Sequence, residues 1–258
     1  MPVLQGAEPY HHDGGGPVGV LLCHGFTGTP QSLGGWASHL AGAGLTVSVP
    51  LLPGHGTTWQ DMARTTWRDW YGALEEALAE LTGRCSEVFV MGLSLGGCMA
   101  LRLARHHPEV RGVVVVNPSL YPDNPFLRVA GVLKYVVRSV GAVADDIKKE
   151  GVHELAYARV PVAAAASLPE LWALARRDLP YLTQPVLCFR SPDDHVVGPR
   201  SMEVLRAHVG SELTERVCAD SYHVATLDND ADTIFAESLG FVQRLATADA
   251  PSQGPEGG

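Results

Sequence analysis

Short apolar runs recur along the chain, separated by polar loops and by segments with helical periodicity. The first strong run is Val18–Cys23, and similar runs cover residues 45–49, 88–91, 113–116 and 186–189, with a half-polar one at 213–218. Nearly continuous apolar runs of this length are typical of strands buried on both faces of a sheet. Helical patterns lie between them at residues 29–42, 67–81, 95–106 and 230–245. This alternation predicts an α/β fold, with a mostly parallel sheet and helices on both faces.

The alternation stops between residues 121 and 184. This stretch holds an apolar, helix-like piece (126–140), a charged turn (145–150) and a further helical segment (168–177). It is too long for a simple crossover, so we predict a small inserted cap or lid. We therefore divide the chain into a core (residues 1–120 and 185–246), a cap (121–184) and a small, polar, disordered tail (247–258). The apolar stripe of the first cap helix predicts packing onto the core or, alternatively, a tunnel for an acyl chain.

Composition narrows the classes of partner and the cellular location. Acidic residues outnumber basic ones and give a net charge of −9, which argues against binding to nucleic acid or to anionic membranes. The chain opens without a signal-peptide pattern, and no apolar run approaches the roughly 20 residues of a membrane span. Five scattered cysteines without a C-x-x-C pair argue against a disulfide framework and a zinc site. We expect buried thiols in a cytoplasmic protein.

The sharpest chemical signal is Gly92-Leu93-Ser94-Leu95-Gly96. The pattern G-x-S-x-G is weak evidence by itself, but here it directly follows a predicted strand and precedes a predicted helix. A nucleophilic serine on a tight strand-to-helix turn needs small neighbours at both glycine positions. The alternative is a glycine-rich turn that only helps packing. The context favours Ser94 as a nucleophile.

A serine nucleophile needs a base, which in this arrangement follows far downstream, after the acid. Two histidines lie beyond the cap and near a strand end, His195 and His223. His208 falls within a helical stretch, where exposure to solvent explains it. His223 follows the 213–218 strand and precedes the last helix, so we predict that it is the base.

The acid is expected after the 186–189 strand, where Asp193 and Asp194 are adjacent. The usual acid loop has one variable residue, two apolar residues and a turn proline after the acid. Asp194 fits that spacing through Val196, Val197 and Pro199, so it is favoured, while Asp193 remains an alternative. The acid would accept the Nδ1 proton of the base and fix its tautomer.

Acyl transfer also requires hydrogen-bond donors for an oxyanion. One is expected to be the backbone N–H of Leu95, the residue after the nucleophile. The second is expected from the loop after the first strong strand, where Phe26 is placed to supply its N–H. His24 in that loop and His55 after the next strand are interpreted as structural histidines that bond to loop backbone.

Taken together, these motifs resemble a known group. His24-Gly25-Phe26-Thr27-Gly28, the segment 53–56, the serine motif, Asp194 and the segment 221–228 are similar to the bacterial carboxylesterases and monoacylglycerol lipases of the α/β-hydrolase superfamily. The resemblance covers about residues 18–245. It implies an α/β-hydrolase fold and a small-molecule ester substrate, with a short- to medium-chain acyl group and possibly a monoacylglycerol. It also implies an acyl-enzyme intermediate and no metal or organic cofactor.

Two other functions use the same residues. An acyltransferase or thioesterase would share the triad, because a triad does not specify what enters the pocket. A non-catalytic ligand-binding module would keep the fold without the chemistry, although such proteins usually lack a triad member. Haloalkane dehalogenases and epoxide hydrolases are disfavoured, since both have an aspartate where Ser94 stands.

Overall fold

The computed structural model describes residues 2–122, 126–142 and 145–247. Nine strands lie within these residues, numbered in chain order. They are β1 (Tyr10–His12), β2 (Val18–Cys23), β3 (Thr46–Val49), β4 (Glu87–Leu93), β5 (Val110–Val116), β6 (Ser139–Gly141), β7 (Arg159–Pro161), β8 (Val186–Arg190) and β9 (Leu213–Val217).

Seven of the strands form one sheet in the order β1-β3-β2-β4-β5-β8-β9. β1 pairs antiparallel with β3, whereas the other neighbouring pairs are parallel. The predicted α/β fold with a mostly parallel sheet is confirmed, and so are its six predicted strands. The short edge strand β1 was not predicted, because Tyr10-His11-His12 lacks the apolar pattern of a buried strand.

The helices cover both faces of this sheet. They are α1 (Gly34–Gly42), α2 (Trp59–Met62), α3 (Trp67–Thr82), α4 (Leu95–His106), α5 (Phe126–Leu133), α6 (Val162–Ala165), α7 (Leu168–Asp178), α8 (Arg200–His208) and α9 (Ala231–Thr247). Short 3₁₀ helices occupy Pro30–Leu33 and Leu179–Tyr181. No helix in the described ranges is long and apolar enough to cross a membrane.

Alternation along the central strands produces two core layers. On β2, Val20 and Leu22 pack in the layer formed with α1 and α9, while Leu21 and Cys23 pack in the layer formed with α3 and α4. All four side chains are fully buried. Burying an aliphatic side chain of this size contributes roughly 1.5–3 kcal/mol. A strand that is apolar at every position is therefore stabilised from both sides, as its sequence predicts.

The residues between β5 and β8, which we call the inserted segment (117–185), contain α5, β6, β7, α6 and α7. β6 and β7 form a separate antiparallel pair. The predicted helix over residues 126–140 is too long, since α5 ends at Leu133 and β6 begins at Ser139. The chain leaves the helix in a turn, in which the N–H groups of Val136 and Val137 both donate to the carbonyl of Leu133, at 3.0 and 2.8 Å. The predicted 168–177 helix is confirmed as α7. The first residue of the predicted disordered tail (247–258) is the last residue of α9, and the rest of the tail lies outside the described residues.

The hydroxyl of Thr29 does not cap the helical turn that it precedes. Thr29 lies directly before the 3₁₀ turn at Pro30, but its side chain makes no capping hydrogen bond. Its hydroxyl instead donates to the carbonyl of Leu155, 3.0 Å away. The Thr29 hydroxyl therefore bonds to the inserted segment and does not cap the turn.

Candidate active site

Loops that carry the predicted site residues leave one edge of the large sheet. Phe26 follows β2, Ser94 follows β4, Asp194 follows β8 and His223 follows β9. The carboxyl ends of parallel strands meet at the same edge, so these loops converge. All four residues, together with Leu95, line one cavity of about 480 Å³. The fold thus brings the five predicted site residues into a single pocket.

Ser94 lies on a strained turn between β4 and α4. Its φ of +56° with ψ of −119° lies in a region that residues with a side chain seldom adopt. Three backbone contacts hold the turn. The N–H of Ser94 donates to the carbonyl of Val116 at 2.9 Å, and its carbonyl accepts from Cys98 at 3.2 Å and Ser119 at 3.0 Å. The surrounding backbone therefore maintains a conformation that the serine alone would avoid.

The two glycines of the motif are required by close backbone approaches. A Cβ on Gly96 would lie 2.0 Å from the carbonyl oxygen of Cys23, and one on Gly92 would lie 2.4 Å from the backbone of Gly96. Both distances are far below van der Waals contact, so a larger residue would displace β2 or α4. The spacing of the motif therefore reflects how tightly the turn packs against the sheet.

His223 is bonded to Asp194 rather than to Asp193. The Nδ1 of His223 lies 2.7 Å from Oδ2 of Asp194, and both side chains are nearly buried, at 8% and 6% exposure. The other oxygen of Asp194 accepts the N–H groups of Val196 at 2.8 Å and Val197 at 2.7 Å. Asp193 is exposed. Two backbone donors hold Asp194 in a turn that directs its free oxygen at the histidine.

Charge around His223 outweighs its burial. Desolvation lowers the pKa of His223, but the negative charge and hydrogen bond of Asp194, followed by the charges of Glu154 and Asp146, raise it above the ordinary histidine value. The raised pKa means that this pocket stabilises an imidazolium. The same arrangement favours a ring that carries its neutral-state proton on Nδ1 and leaves Nε2 as the acceptor.

Asn117, at the end of β5, joins the loops that carry Asp194 and His223. Its side-chain amide donates to the carbonyl of His223 at 2.8 Å and of Tyr222 at 3.3 Å. Its carbonyl oxygen accepts the N–H of Ser191 at 2.7 Å. Asn117 has a φ of +44°. A buried amide that bonds both loops fixes their separation at the edge of the sheet.

Phe26 and Leu95, the two predicted oxyanion donors, lie in the loop after β2 and at the start of α4. Both residues line the cavity, and in the described part of the chain neither N–H has an acceptor. Thr27 has a φ of +66° and its hydroxyl donates to the carbonyl of Phe26 at 2.5 Å. The ring of Phe26 lies 5.5 Å from that of Trp70. These contacts fix the loop after β2 while leaving its amide unpaired.

His24 and His55 are buried beneath this loop. Nδ1 of His24 lies 3.0 Å from the carbonyl of Gly25, and its Nε2 accepts the N–H of Leu52 at 3.2 Å. His55 packs edge-on against His24, with Nδ1 3.2 Å from the carbonyl of Pro53. Desolvation lowers the pKa of His24 to about 4 and that of His55 to about 3. Both are therefore neutral and bond to loop backbone, in agreement with the structural interpretation.

Glu154 contributes a carboxyl group to the wall of the cavity. It lines the pocket, and none of the described residues donates a hydrogen bond to its carboxyl oxygens. Burial raises the pKa of Glu154 to about 7, an effect that the nearby His223 opposes. An unpaired carboxyl group in a largely apolar pocket can accept hydrogen bonds from a ligand.

Three residues around the cavity were not predicted from the sequence: Asn117, Asp146 and Glu154. Asn117 directly follows the four valines 113–116 that end β5, and a polar residue at the end of such a run is a signal that could have identified it. Asp146 and Glu154 lie in or beside a turn that was recognised only as charged. Among the described residues, no cluster of three or more His, Cys, Asp or Glu side chains is arranged to hold a metal ion.

Comparisons with known proteins agree with this architecture. A thermostable monoacylglycerol lipase from Bacillus sp. (strain H-257) is 43% identical over 248 residues, which cover 95% of this chain and 98% of the relative. A carboxylesterase from Bacillus subtilis (strain 168) is 25% identical over 236 residues, covering 90% of this chain and 94% of the relative. A solved structure from work on LipS and LipT, two metagenome-derived lipolytic enzymes, superimposes with a TM-score of 0.91 and 40% identity. It covers 94% of this chain and 100% of its own.

The family model agrees with these individual relatives. It is described as the alpha/beta hydrolase family and matches residues 20–237, a span that begins in β2 and ends in α9. That span includes the turn that carries Ser94, both loops joined by Asn117 and the inserted segment. This chain belongs to the alpha/beta hydrolase family.

Proposed function

We propose that this chain is a serine hydrolase of carboxylic esters, with Ser94 as nucleophile, His223 as general base and Asp194 as the acid that orients the base. One observation carries the proposal. A serine on a strained strand-to-helix turn opens into the same cavity as a histidine that is bonded at 2.7 Å to a nearly buried carboxylate. Serine hydroxyls become useful nucleophiles when a base of this kind shares their pocket.

The first half of the reaction forms an acyl-enzyme. Ser94 Oγ attacks the ester carbonyl while Nε2 of His223 takes the hydroxyl proton, and Asp194 stabilises the resulting imidazolium through Nδ1. The N–H groups of Phe26 and Leu95 bind the oxyanion of the tetrahedral intermediate. His223 then donates its proton to the departing alkoxide, which leaves as an alcohol.

Water completes the cycle. It attacks the acyl-Ser94 carbonyl while His223 removes one of its protons, and the same two amides bind the second oxyanion. Collapse of that intermediate expels the Ser94 oxygen, which regains a proton from His223, and releases the carboxylic acid. His223 carries every proton in this sequence of steps, so the proposed mechanism requires no metal or organic cofactor.

The apolar and the polar parts of the cavity wall indicate the substrate class. Apolar side chains of the inserted segment, among them Val140, Val160, Leu168 and Trp172, suit an acyl chain of short to medium length. The carboxyl group of Glu154 suits the hydroxyl groups of a polyol alcohol. A relative of 43% identity is named a monoacylglycerol lipase. These observations support a monoacylglycerol as the ester, with residues 121–184 of the inserted segment as the cap of the core.

A cytoplasmic location is proposed as well. All five cysteines are free and buried, and reduced thiols persist in a reducing compartment.

Replacing the nucleophile or the base tests the mechanism. Ser94→Ala and His223→Ala are each expected to lower kcat on p-nitrophenyl esters and on a monoacylglycerol by at least roughly 10³-fold. A fluorophosphonate probe is expected to label the unaltered protein and not the Ser94 variant. Thermal unfolding of both variants controls for folding. Ester hydrolysis that survives Ser94→Ala would contradict the mechanism, and inactivity of the folded, unaltered protein on all esters would favour acyl transfer or ligand binding.

Glu154→Gln tests the monoacylglycerol assignment. The assay compares a monoacylglycerol with the methyl ester of the same acyl chain at pH 8, above the pKa of about 7 of Glu154. Loss of a hydrogen bond to a charged acceptor costs roughly 1.5–3 kcal/mol, so kcat/KM on the monoacylglycerol is expected to fall by at least about tenfold. The methyl ester cannot make this hydrogen bond, so its kcat/KM should fall less, by only the contribution of the Glu154 charge to the His223 imidazolium. Glu150→Gln, at an exposed position of the same segment, serves as the control. Equal losses on both esters would overturn the assignment.

A further inference from the structure

Asp146 of the inserted segment bonds to both loops that carry the Asp194–His223 pair. Its Oδ2 accepts the backbone N–H of His195 and that of His223, each at 3.1 Å. Its Oδ1 lies 2.7 Å from Nδ1 of His195, and its backbone carbonyl accepts the N–H of Val224 at 3.1 Å. The carboxylate is buried, with a side-chain exposure of 9%. A single buried side chain therefore makes contacts beside each member of the pair.

The contacts of Asp146 complement those of Asn117. Asn117, at the end of β5, bonds to the carbonyl of His223, whereas Asp146 bonds to the N–H of the same residue. The backbone of His223 is thus held at both its donor and its acceptor. Only Asp146 of these two residues also reaches the backbone of His195, immediately after Asp194.

The local backbone directs Asp146 into the pocket. Asp145 has a φ of +56°, a left-handed conformation that aspartate adopts more readily than most residues. The carboxylate of Asp145 accepts the N–H of Glu154 at 2.7 Å and lies 3.0 Å from Nδ1 of His153. The turn is therefore fastened on one side while its next residue points inward, where Asp146 lines the cavity.

Three carboxylates act on the charge of His223. Asp194 lies on the loop after β8, whereas Glu154 and Asp146 belong to the inserted segment, and all three raise the pKa of His223 against the opposing effect of burial. Asp146 combines this charge with direct contact to the His223 backbone. His195, which bonds to the Asp146 side chain, is the titratable group that faces Asp146 from the acid loop.

We propose that Asp146 is a positioning residue for the catalytic dyad: its buried carboxylate holds the Asp194 and His223 loops in register and adds negative charge beside the base. The inserted segment then contributes to the chemistry itself as well as to the pocket wall. This inference rests on the proposed function, since it concerns how the same dyad is held.

Asp146→Asn removes the negative charge of the side chain and nearly keeps its size. Misplacing a catalytic group by about 1 Å can cost about 10²-fold in rate, so kcat is expected to fall by roughly 10- to 100-fold, with KM within about twofold. Removing the negative charge should also move the acid limb of the kcat/KM profile to lower pH, because the pKa of His223 falls. Asp232→Asn, at an exposed position in α9, is the control. A residue that only supports the fold would lower stability without moving that limb.

Asp146→Glu provides the second variant and carries the test if Asp146→Asn does not fold. It keeps the charge but lengthens the side chain, so kcat is expected to fall while the acid limb stays near that of the unaltered protein. Unchanged kcat and an unchanged acid limb in Asp146→Asn would overturn the proposal, as would an unchanged kcat in Asp146→Glu.

A measurement without substrate distinguishes this inference from the proposed function. The Nδ1 proton shared by His223 and Asp194 is observable by proton NMR, and its titration reports the pKa of His223 directly. That pKa is expected to fall in Asp146→Asn, and an unchanged titration would contradict the role of Asp146. Failure of the proposed function would instead appear as an unaltered protein that hydrolyses no ester or keeps its activity after Ser94→Ala.

Discussion

At the scale of single residues, the two adjacent aspartates after β8 show how one position determines a role. The sequence favoured Asp194 through the spacing to Val196, Val197 and Pro199. The structure gives the physical reason, since the N–H groups of both valines donate to one oxygen of Asp194 and leave the other for His223. Asp193 is exposed and has no such geometry. The spacing between Asp194 and the two valines is therefore explained by the hydrogen bonds within this loop.

Asp194→Asn is expected to lower kcat by roughly 10³- to 10⁴-fold, because an amide at this position stabilises the wrong tautomer of the base. Asp193→Asn should leave kcat within about twofold, since that side chain bonds to neither site residue. Steady-state hydrolysis of one p-nitrophenyl ester by both variants checks this. A large loss in Asp193→Asn with little effect of Asp194→Asn would reverse the assignment.

The residues that sequence reasoning missed act through contacts between distant parts of the chain. Asn117 bonds to His223 across 106 positions, and Asp146 bonds to His223 across 77. Neither has a local pattern that specifies its partner. Glu154 differs in that its significance comes from an absence, the lack of a donor for its carboxyl oxygens among the described residues. Such contacts require the folded geometry, whereas Ser94 and His223 are predicted as nucleophile and base from motif and chain order.

At the scale of elements, the strands were the easiest to predict. The runs that form β2, β4, β5 and β8 are buried on both faces, so each is apolar at nearly every position and needs no knowledge of its neighbours. β1 was missed because an edge strand of three residues has neither burial nor length to mark it. Strands at the centre of a parallel sheet are therefore easier to predict from sequence than strands at its edge.

The inserted segment was the hardest element to predict, and the contacts of its second half explain why. Residues 153–157 bond to the loop after β2: the carbonyl of His153 accepts from Gln31, Leu155 exchanges hydrogen bonds with Gln31 and Thr29, and the N–H of Tyr157 donates to Thr27. These partners lie more than 120 positions away. Periodicity identified α7 correctly but could not predict a segment held by such distant loops.

At the scale of the whole molecule, the buried histidines make the free energy of unfolding depend on pH with opposite signs. His24 and His55 have folded-state pKa values lowered to about 4 and about 3, whereas an unfolded histidine titrates near 6.5. Between about pH 6.5 and pH 4 the unfolded chain therefore binds more protons at these positions, and stability falls as pH falls. His223 has the opposite sign, because its folded-state pKa is raised. It contributes stability below about pH 6.5 and loses it as pH rises.

His55→Gln isolates one of these contributions. A histidine that stays neutral when folded lowers the free energy of unfolding by about 2 kcal/mol at pH 5 relative to pH 7, because the same histidine is protonated in the unfolded chain at pH 5. The loss of unfolding free energy between pH 7 and pH 5 is therefore expected to be about 2 kcal/mol smaller in His55→Gln than in the unaltered protein. Urea unfolding at both pH values measures the difference, which does not depend on how far the substitution itself destabilises the fold. His208→Gln, in which an exposed histidine of α8 is replaced, should leave the loss unchanged. An equal loss in His55→Gln and the unaltered protein would mean that His55 is protonated in the folded protein at pH 5 and does not contribute to its acid sensitivity.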